Sequence, residues 1–163
     1  MEAVILIGIQ GSGKSTFYKE KFADTHVRIN LDMLRTKNRE KVLLEACLEA
    51  KIRFVVDKVN ASREDRARYI NEARRFGFRV LGYYLRTDLM AALERNRRRE
   101  GKARIPDKGL FDSLKRLEIP GYDEGFNELY YVWIDEGSRF VIEPWKPFEI
   151  DKTVSLPADT GRK

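Results

Sequence analysis

The chain has 163 residues, 42% of them hydrophobic and 11% aromatic, which predicts one folded domain over residues 1–150 and a loose tail over residues 151–163. It contains no apolar run of 18 residues and only one cysteine, Cys47, so a membrane-spanning helix and a disulfide framework are excluded. We therefore expect a cytoplasmic protein with no membrane partner. The net charge of +6 favours anionic partners such as nucleic acid.

The segment from Gly8 to Ser15, followed by Thr16, fits the pattern G-x-x-x-x-G-K-[ST]; it lies between an apolar strand pattern at residues 3–7 and a helical pattern at residues 15–22. Glycines in such a turn let successive backbone N–H groups point inward, where they and the helix N-terminus can bind phosphate. The pattern therefore favours a nucleotide triphosphate site over a chance glycine-rich turn. We expect Lys14 to contact the β- and γ-phosphates and the Ser15 hydroxyl to bind Mg²⁺. The expected nucleotide-binding residues of the loop are Gly11, Ser12, Gly13, Lys14, Ser15 and Thr16.

Two acidic residues follow or end predicted strands. Asp32 follows a strand pattern at residues 27–30, and Asp57 ends an apolar strand at residues 53–57. Because ligands of open α/β sheets bind outside the carboxyl ends of the strands, both carboxylates are expected near the nucleotide. For Asp32, position alone leaves two compatible interpretations, a carboxylate beside the γ-phosphate and an N-cap of the next helix. For Asp57 we favour a role as ligand of Mg²⁺, or of one of its waters, over a charged end to the strand.

The remaining periodicity completes the predicted fold. Helical patterns cover residues 39–52, the segment from Ser62 to Gly77 and residues 107–117, and strand patterns cover residues 78–85 and 128–134. Strands alternating with helices predict an α/β P-loop fold, with a five-stranded, mainly parallel sheet flanked by helices. Residues 139–150 are expected to pack on the domain as an arm, and His26 is expected in an exposed turn. The apolar stripe expected on the helix at residues 39–52 consists of Val42, Leu43, Ala46, Cys47 and Ala50.

Residues 95–106 form a basic segment. Six basic residues and one acid lie between Arg95 and Arg104, and Gly101 and Pro106 provide a hinge and a stop. Arg95 and Arg99 share a helix face, where like charges cost about 0.2–0.5 kcal/mol per pair unless an anion neutralises them. Beside a phosphate-binding loop, this pattern favours a mobile Arg-rich lid over a solvated basic helix.

Taken together, four segments resemble the kinase domain of the bacteriophage-type 5′-polynucleotide kinases, in the adenylate-kinase-like branch of P-loop proteins. They are Gly8 to Thr16, Ile29-Asn30-Leu31-Asp32-Met33-Leu34-Arg35, Val56-Asp57 with Asn60, and Arg95 to Pro106, within residues 3–133. The resemblance implies transfer of the γ-phosphate of ATP, or of another NTP, with Mg²⁺, to the 5′-hydroxyl end of RNA or DNA.

The resemblance also implies roles for individual residues. Asp32 would be the general base that accepts the proton of the 5′-hydroxyl, and Arg35 would bind the phosphate on the 3′ side of the terminal nucleotide. Arg99 would stabilise charge on the transferred phosphate, with Arg95 beside it and Lys14 on the nucleotide. One departure is Met33, which stands where the family has a second acid.

Two other functions stay open at this point. A small-molecule kinase of the same fold, acting on a nucleoside, sugar or antibiotic, would have a closed acceptor pocket rather than an open basic groove. A non-catalytic, nucleotide-dependent binding module would bind ATP without phosphorylating any acceptor, and Asp32 would be dispensable to it.

Overall fold

The computed structural model describes residues 1–146, which form one six-stranded sheet with helices on both faces. The strands are β1 (Glu2–Ile7), β2 (Val27–Ile29), β3 (Phe54–Asp57), β4 (Arg79–Leu85), β5 (Glu128–Ile134) and β6 (Phe140–Pro144). The helices are α1 (Lys14–Lys21), α2 (Leu31–Leu34), α3 (Lys37–Glu49), α4 (Arg63–Arg75), α5 (Leu89–Arg97) and α6 (Asp107–Arg116), with short 3₁₀ turns at Gly101–Ala103 and Tyr122–Glu124. In residues 1–146 no helix has the length and apolar character needed to span a bilayer.

The strand order is β2-β3-β1-β4-β5-β6, and all neighbouring pairs are parallel except β5 and β6. Strand β1 lies at the centre, with its residues from Ala3 to Ile7 almost fully buried. Its alternate side chains enter two cores, since Ile5 packs with α3 and α4 on one face while Leu6 packs with α1 on the other. Burial on both faces explains why β1 is a continuous apolar run rather than an alternating one.

The buried face of α3 differs from the predicted stripe. Cys47 is in the core as expected, but Val42 is 57% exposed and Ala46 and Ala50 are also exposed. The helix instead buries Glu40, Leu44, Cys47 and Leu48. Two leucines remove more apolar surface from water than two alanines, so this rotation is favoured once a partner for the glutamate is available.

The C-terminal edge of the described sheet adds a strand to the predicted five. A turn closed by Asp135, whose Oδ1 accepts from the Arg139 backbone N–H at 2.9 Å, returns the chain as β6 antiparallel to β5. Residues 140–144 of the arm expected at residues 139–150 are therefore an edge strand, and an edge strand tolerates a proline such as Pro144. Residues 147–150 of that arm and the expected tail at residues 151–163 lie outside the described residues.

His26 is buried rather than exposed, with 7% of its surface accessible. Its Nδ1 lies 2.7 Å from Thr25 Oγ1 and its Nε2 lies 3.1 Å from Glu2 Oε1. The ring packs against Phe22, so the turn after α1 is part of the core.

Candidate active site

The loop between β1 and α1 has the geometry of a phosphate-binding loop. Gly11 and Gly13 have φ values of +77° and +99°, which glycine adopts readily. Helix α1 begins at Lys14 and its N-terminus has no side-chain cap, so its first N–H groups remain available to an anion. A Cβ on Gly11 would lie 2.8 Å from the carbonyl oxygen of Ala92, which shows that α5 packs directly on this loop.

Lys14 lies folded against the loop and is only 8% exposed. Its Nζ donates to the carbonyl oxygens of Gly8 and Ile9, each at 2.7 Å. Burial lowers the pKa of Lys14 to about 8, with Asp57 opposing that shift and Arg99 adding to it. A phosphate group bound at the loop would favour the protonated form again.

Ser15 and Asp57, expected to hold the metal, lie together at the mouth of the loop. Ser15 Oγ donates to Asp57 Oδ2 at 3.1 Å, and Asp57 is 2% exposed. Such hard oxygen donors fit Mg²⁺, which binds through one or two protein oxygens together with substrate phosphates and waters. Residues 1–146 contain no cluster of three or more His, Cys, Asp or Glu side chains suited to a metal ion. Mg²⁺ at this position would take its other ligands from the nucleotide and from water.

Arg28 contacts both Ser15 and Asp57, and the sequence analysis did not predict it as a site residue. Its Nη2 donates to Asp57 Oδ2 at 2.6 Å and to Ser15 Oγ at 2.9 Å, and its Nε donates to Asp57 Oδ2 at 2.9 Å. The signal available in the sequence was a basic residue between Val27 and Ile29, in a strand that precedes an acid-ended strand.

Asp32 lies in the first turn of α2 and does not cap it. The N-cap is Asn30, whose Oδ1 accepts from the Met33 backbone N–H at 2.9 Å, so the N-cap interpretation of Asp32 is wrong. Asn30 Nδ2 also donates to the carbonyl oxygen of Asp57 at 2.9 Å, which ties α2 to the end of β3. The exposed Asp32 carboxylate makes no hydrogen bond or ion pair with other residues of the range 1–146.

Two clefts meet at Asp32. The smaller, of about 140 Å³, is lined by the loop together with Asp57 and Arg99. The larger, of about 590 Å³, extends towards α3 and α4, and Asn30, Asp32 and Asp57 line both. The charged residues lining the larger cleft are Lys37, Lys58, Arg68 and Arg116, and Asp32, Glu40, Asp57, Glu64 and Asp65. This cleft therefore carries mixed charge and is not a basic groove.

A buried polar cluster forms one wall of the larger cleft. Glu40 is fully buried and accepts from Lys58 Nζ at 3.3 Å and from the Tyr69 hydroxyl, while Arg68 lies 3.6 Å away as an ion-pair partner. Burial raises the pKa of Tyr69, and the hydrogen bond with Glu40 adds a smaller shift in the same direction. The Tyr69 phenol therefore stays protonated and donates its hydrogen bond to the Glu40 carboxylate. Tyr69 and Glu40 together hold the Lys58 ammonium group between the two clefts.

The predicted lid is anchored at its base. Asn96 is fully buried, accepts from the Ile105 N–H at 3.1 Å and donates to the Ile105 carbonyl at 2.7 Å. The exposed, mostly basic segment 97–104 therefore forms a closed loop. Arg95 Nη1 donates to the Gly11 carbonyl at 2.7 Å. Arg99 lines the smaller cleft, whereas Arg35 is exposed at the end of α2 and lines neither cleft.

The comparison with known families agrees with this geometry. A family model described as an AAA domain matches residues 4–120. The chain belongs to this AAA domain family. A curated relative, the bifunctional polynucleotide phosphatase/kinase of Schizosaccharomyces pombe (strain 972), is 28% identical in an alignment of 136 residues that covers 80% of this chain and 33% of the relative. The chain thus spans about a third of that relative's length.

Solved structures share the fold of this AAA domain. Kti12 of Chaetomium thermophilum in complex with ADP-AlF3 superposes with a TM-score of 0.59 at 18% identity, covering 83% of this chain and 92% of that one. A sugar kinase of Janibacter sp. HTCC2649 gives 0.59 at 20% identity, with 82% and 85% covered. The AvrRxo1-ORF1:-ORF2 complex with ATP gives 0.70 at 13% identity, with 97% and 66% covered. These likenesses confirm the P-loop kinase fold expected from the sequence, with six strands instead of five.

Proposed function

We propose that this protein is an ATP-dependent kinase that transfers the γ-phosphate to the 5′-hydroxyl end of RNA or DNA. The observation that carries the proposal is the position of Asp32, an unpartnered carboxylate within the described residues, where the nucleotide cleft meets the larger cleft. A hydroxyl entering the larger cleft would find a proton acceptor beside the phosphate held at the loop. The 28% identity to a bifunctional polynucleotide phosphatase/kinase supports a polynucleotide as the acceptor.

The other residues of the site suit phosphoryl transfer, which depends on positioning and charge neutralisation more than on covalent steps. Lys14 would bind the β- and γ-phosphates, and Ser15 and Asp57 would hold Mg²⁺, which when bound neutralises charge on the phosphate oxygens. Arg99, on the lid, would stabilise charge on the transferred group, with Arg95 at the nucleotide. Asp32 would accept the hydroxyl proton late in the transfer.

The rest of the polynucleotide needs a path away from the larger cleft. We assign Arg35 to the phosphate on the 3′ side of the terminal nucleotide, which agrees with its exposure at the end of α2, outside both clefts. In this arrangement only the terminal nucleoside enters the larger cleft, so a mixed-charge lining is compatible with a polyanionic substrate.

A small-molecule kinase is the second candidate. The mixed charge of the 590 Å³ cleft favours it, because such a lining suits a compact polar acceptor better than an extended polyanion. A sugar kinase of Janibacter sp. HTCC2649 shares this fold.

The test is a transfer assay with γ-labelled ATP, Mg²⁺ and either 5′-hydroxyl or 5′-phosphorylated oligonucleotides of the same sequence, as RNA and as DNA. We expect label only on the 5′-hydroxyl ends, and none with Lys14→Ala protein. Label that appears on nucleosides or sugars, and not on oligonucleotides, would reject the proposal in favour of a small-molecule kinase. ATP binding with no labelled acceptor would support the non-catalytic module.

A further inference from the structure

Arg28 makes the contacts that the proposed metal ion would make. Its guanidinium bridges Ser15 Oγ, at 2.9 Å from Nη2, and Asp57 Oδ2, at 2.6 Å from Nη2 and 2.9 Å from Nε. The guanidinium carbon also lies 5.3 Å from the centre of the Tyr18 ring, within the range of a cation–π contact. Arg28 is the central residue of β2 and pairs with Val55 of β3, so its side chain emerges next to the strand that ends at Asp57.

Burial explains why this contact is strong. The Asp57 side chain is 2% exposed, and a buried carboxylate without a counter-charge is costly. Arg28 provides that charge while its own side chain remains 23% exposed, so it can move outward into solvent without unfolding β2.

A divalent cation would compete with Arg28 for the same two oxygens. A cation bound to Ser15 and Asp57 would lie within a few ångströms of the guanidinium, and the two positive charges would repel each other. Two protein oxygens compensate poorly for the water that Mg²⁺ must lose, whereas a polyphosphate supplies further oxygens and negative charge.

We propose that Arg28 is a built-in counter-ion of the metal site. It holds Ser15 and Asp57 in place in the nucleotide-free protein and excludes free divalent cations, so that the metal binds together with the nucleotide polyphosphate. Arg28 is therefore a positioning residue that couples metal binding to nucleotide binding. This inference rests on the nucleotide-binding part of the proposed function and does not depend on the identity of the acceptor.

The test is a titration of nucleotide-free protein with Mn²⁺, followed by electron paramagnetic resonance. The test variant is Arg28→Gln. The control is Arg75→Gln, which removes the same charge from an α4 side chain that is 68% exposed and lies away from the metal site. We expect wild type and Arg75→Gln to bind Mn²⁺ equally weakly and Arg28→Gln to bind it about tenfold more tightly, or more, because a repelling charge is removed. Adding Asp57→Asn to Arg28→Gln should abolish the gain. A purely structural role of Arg28 predicts a loss of metal binding, not a gain.

Equal Mn²⁺ affinities of wild type and Arg28→Gln would overturn the inference. If Arg28→Gln does not fold, thermal unfolding of the wild type gives the answer, since Mn²⁺ alone should leave its midpoint unchanged while ADP with Mn²⁺ should raise it. A rise with Mn²⁺ alone would overturn the inference. Neither measurement contains an acceptor, so failure of the 5′-hydroxyl transfer assay leaves both results intact.

Discussion

The buried side chain of Arg66 should stabilise the fold more than any exposed arginine of α4. Its guanidinium is fully buried, binds Glu124 through Nε at 2.7 Å and Nη2 at 2.8 Å, and donates to the carbonyl oxygens of Asn60, Ala61 and Glu118 at 2.9–3.0 Å. These contacts tie α4 to the segment after β3 and to the segment after α6. Arg66→Met, which keeps helix propensity and apolar length, leaves the Glu124 carboxylate without this partner. We expect a loss of about 3–5 kcal/mol in the free energy of unfolding, as for other broken buried pairs.

Urea unfolding followed by circular dichroism measures this loss, and the midpoint of thermal unfolding should fall by roughly 6–20 °C. Arg75→Met on the same helix is the matched control, because Arg75 makes its ion pair with Glu72 at the surface, lies over the Phe76 ring, and has a side chain that is 68% exposed. The control should change stability by less than about 0.5 kcal/mol. A loss below about 1 kcal/mol for Arg66→Met would refute the reasoning, because the carboxylate would then not be buried and paired as described.

Three further predictions concern the loop, its lysine and the buried histidine. Between the Lys14 pKa of about 8 and the ordinary value of 10.5, the folded protein binds fewer protons than the unfolded chain, so its stability rises with pH. In EDTA, the free energy of unfolding of wild type relative to that of Lys14→Met should therefore increase by about 2 kcal/mol from pH 7 to pH 9.5. A difference that does not change with pH would mean an ordinary Lys14 pKa. Gly11→Ala should lower the free energy of unfolding by about 1–3 kcal/mol and weaken ATP binding measured by calorimetry, because Gly11 has a φ of +77° and lies close to Ala92. In the control Gly109→Ala in α6, the new Cβ meets nothing closer than 3.6 Å, so this change should stabilise the protein slightly. Burial lowers the pKa of His26 below 6.5, so the folded protein should lose stability as the pH falls through 6.5. The midpoint of thermal unfolding should show this decrease in wild type and not in His26→Asn.

The sequence predicts well the features that depend on local spacing. The glycines of the loop and the apolar run of β1 determine the strand, turn and helix there, and the strand expected at residues 128–134 has the same bounds as β5. Ser62 and Asp65 form a capping box at the start of α4, and this pair also depends on local spacing, since both partners lie within one helical turn.

Charged residues whose partners lie far along the chain could not be predicted in this way. Arg28, Glu40 and Arg66 are such residues. Hydrophobic periodicity assigns charged side chains to the solvent-exposed face. Their partners lie far along the chain, as Arg28 bonds to a residue 29 positions away and Arg66 to one 58 positions away. The burial of Glu40 changes the structure, since it turns α3 away from the predicted stripe and forms one wall of the larger cleft.

The most direct test of the proposed site is the effect of Asp32→Asn on transfer at saturating ATP and acceptor. The amide keeps the shape of the side chain but cannot accept the hydroxyl proton, so kcat should fall by about 10²–10⁴-fold while ATP affinity stays within a few-fold of wild type. Asp112→Asn, an exposed aspartate of α6 that lines neither cleft, should leave kcat unchanged. An Asp32→Asn protein with the kcat of the wild type would contradict the assignment of Asp32 as the base at the junction of the two clefts.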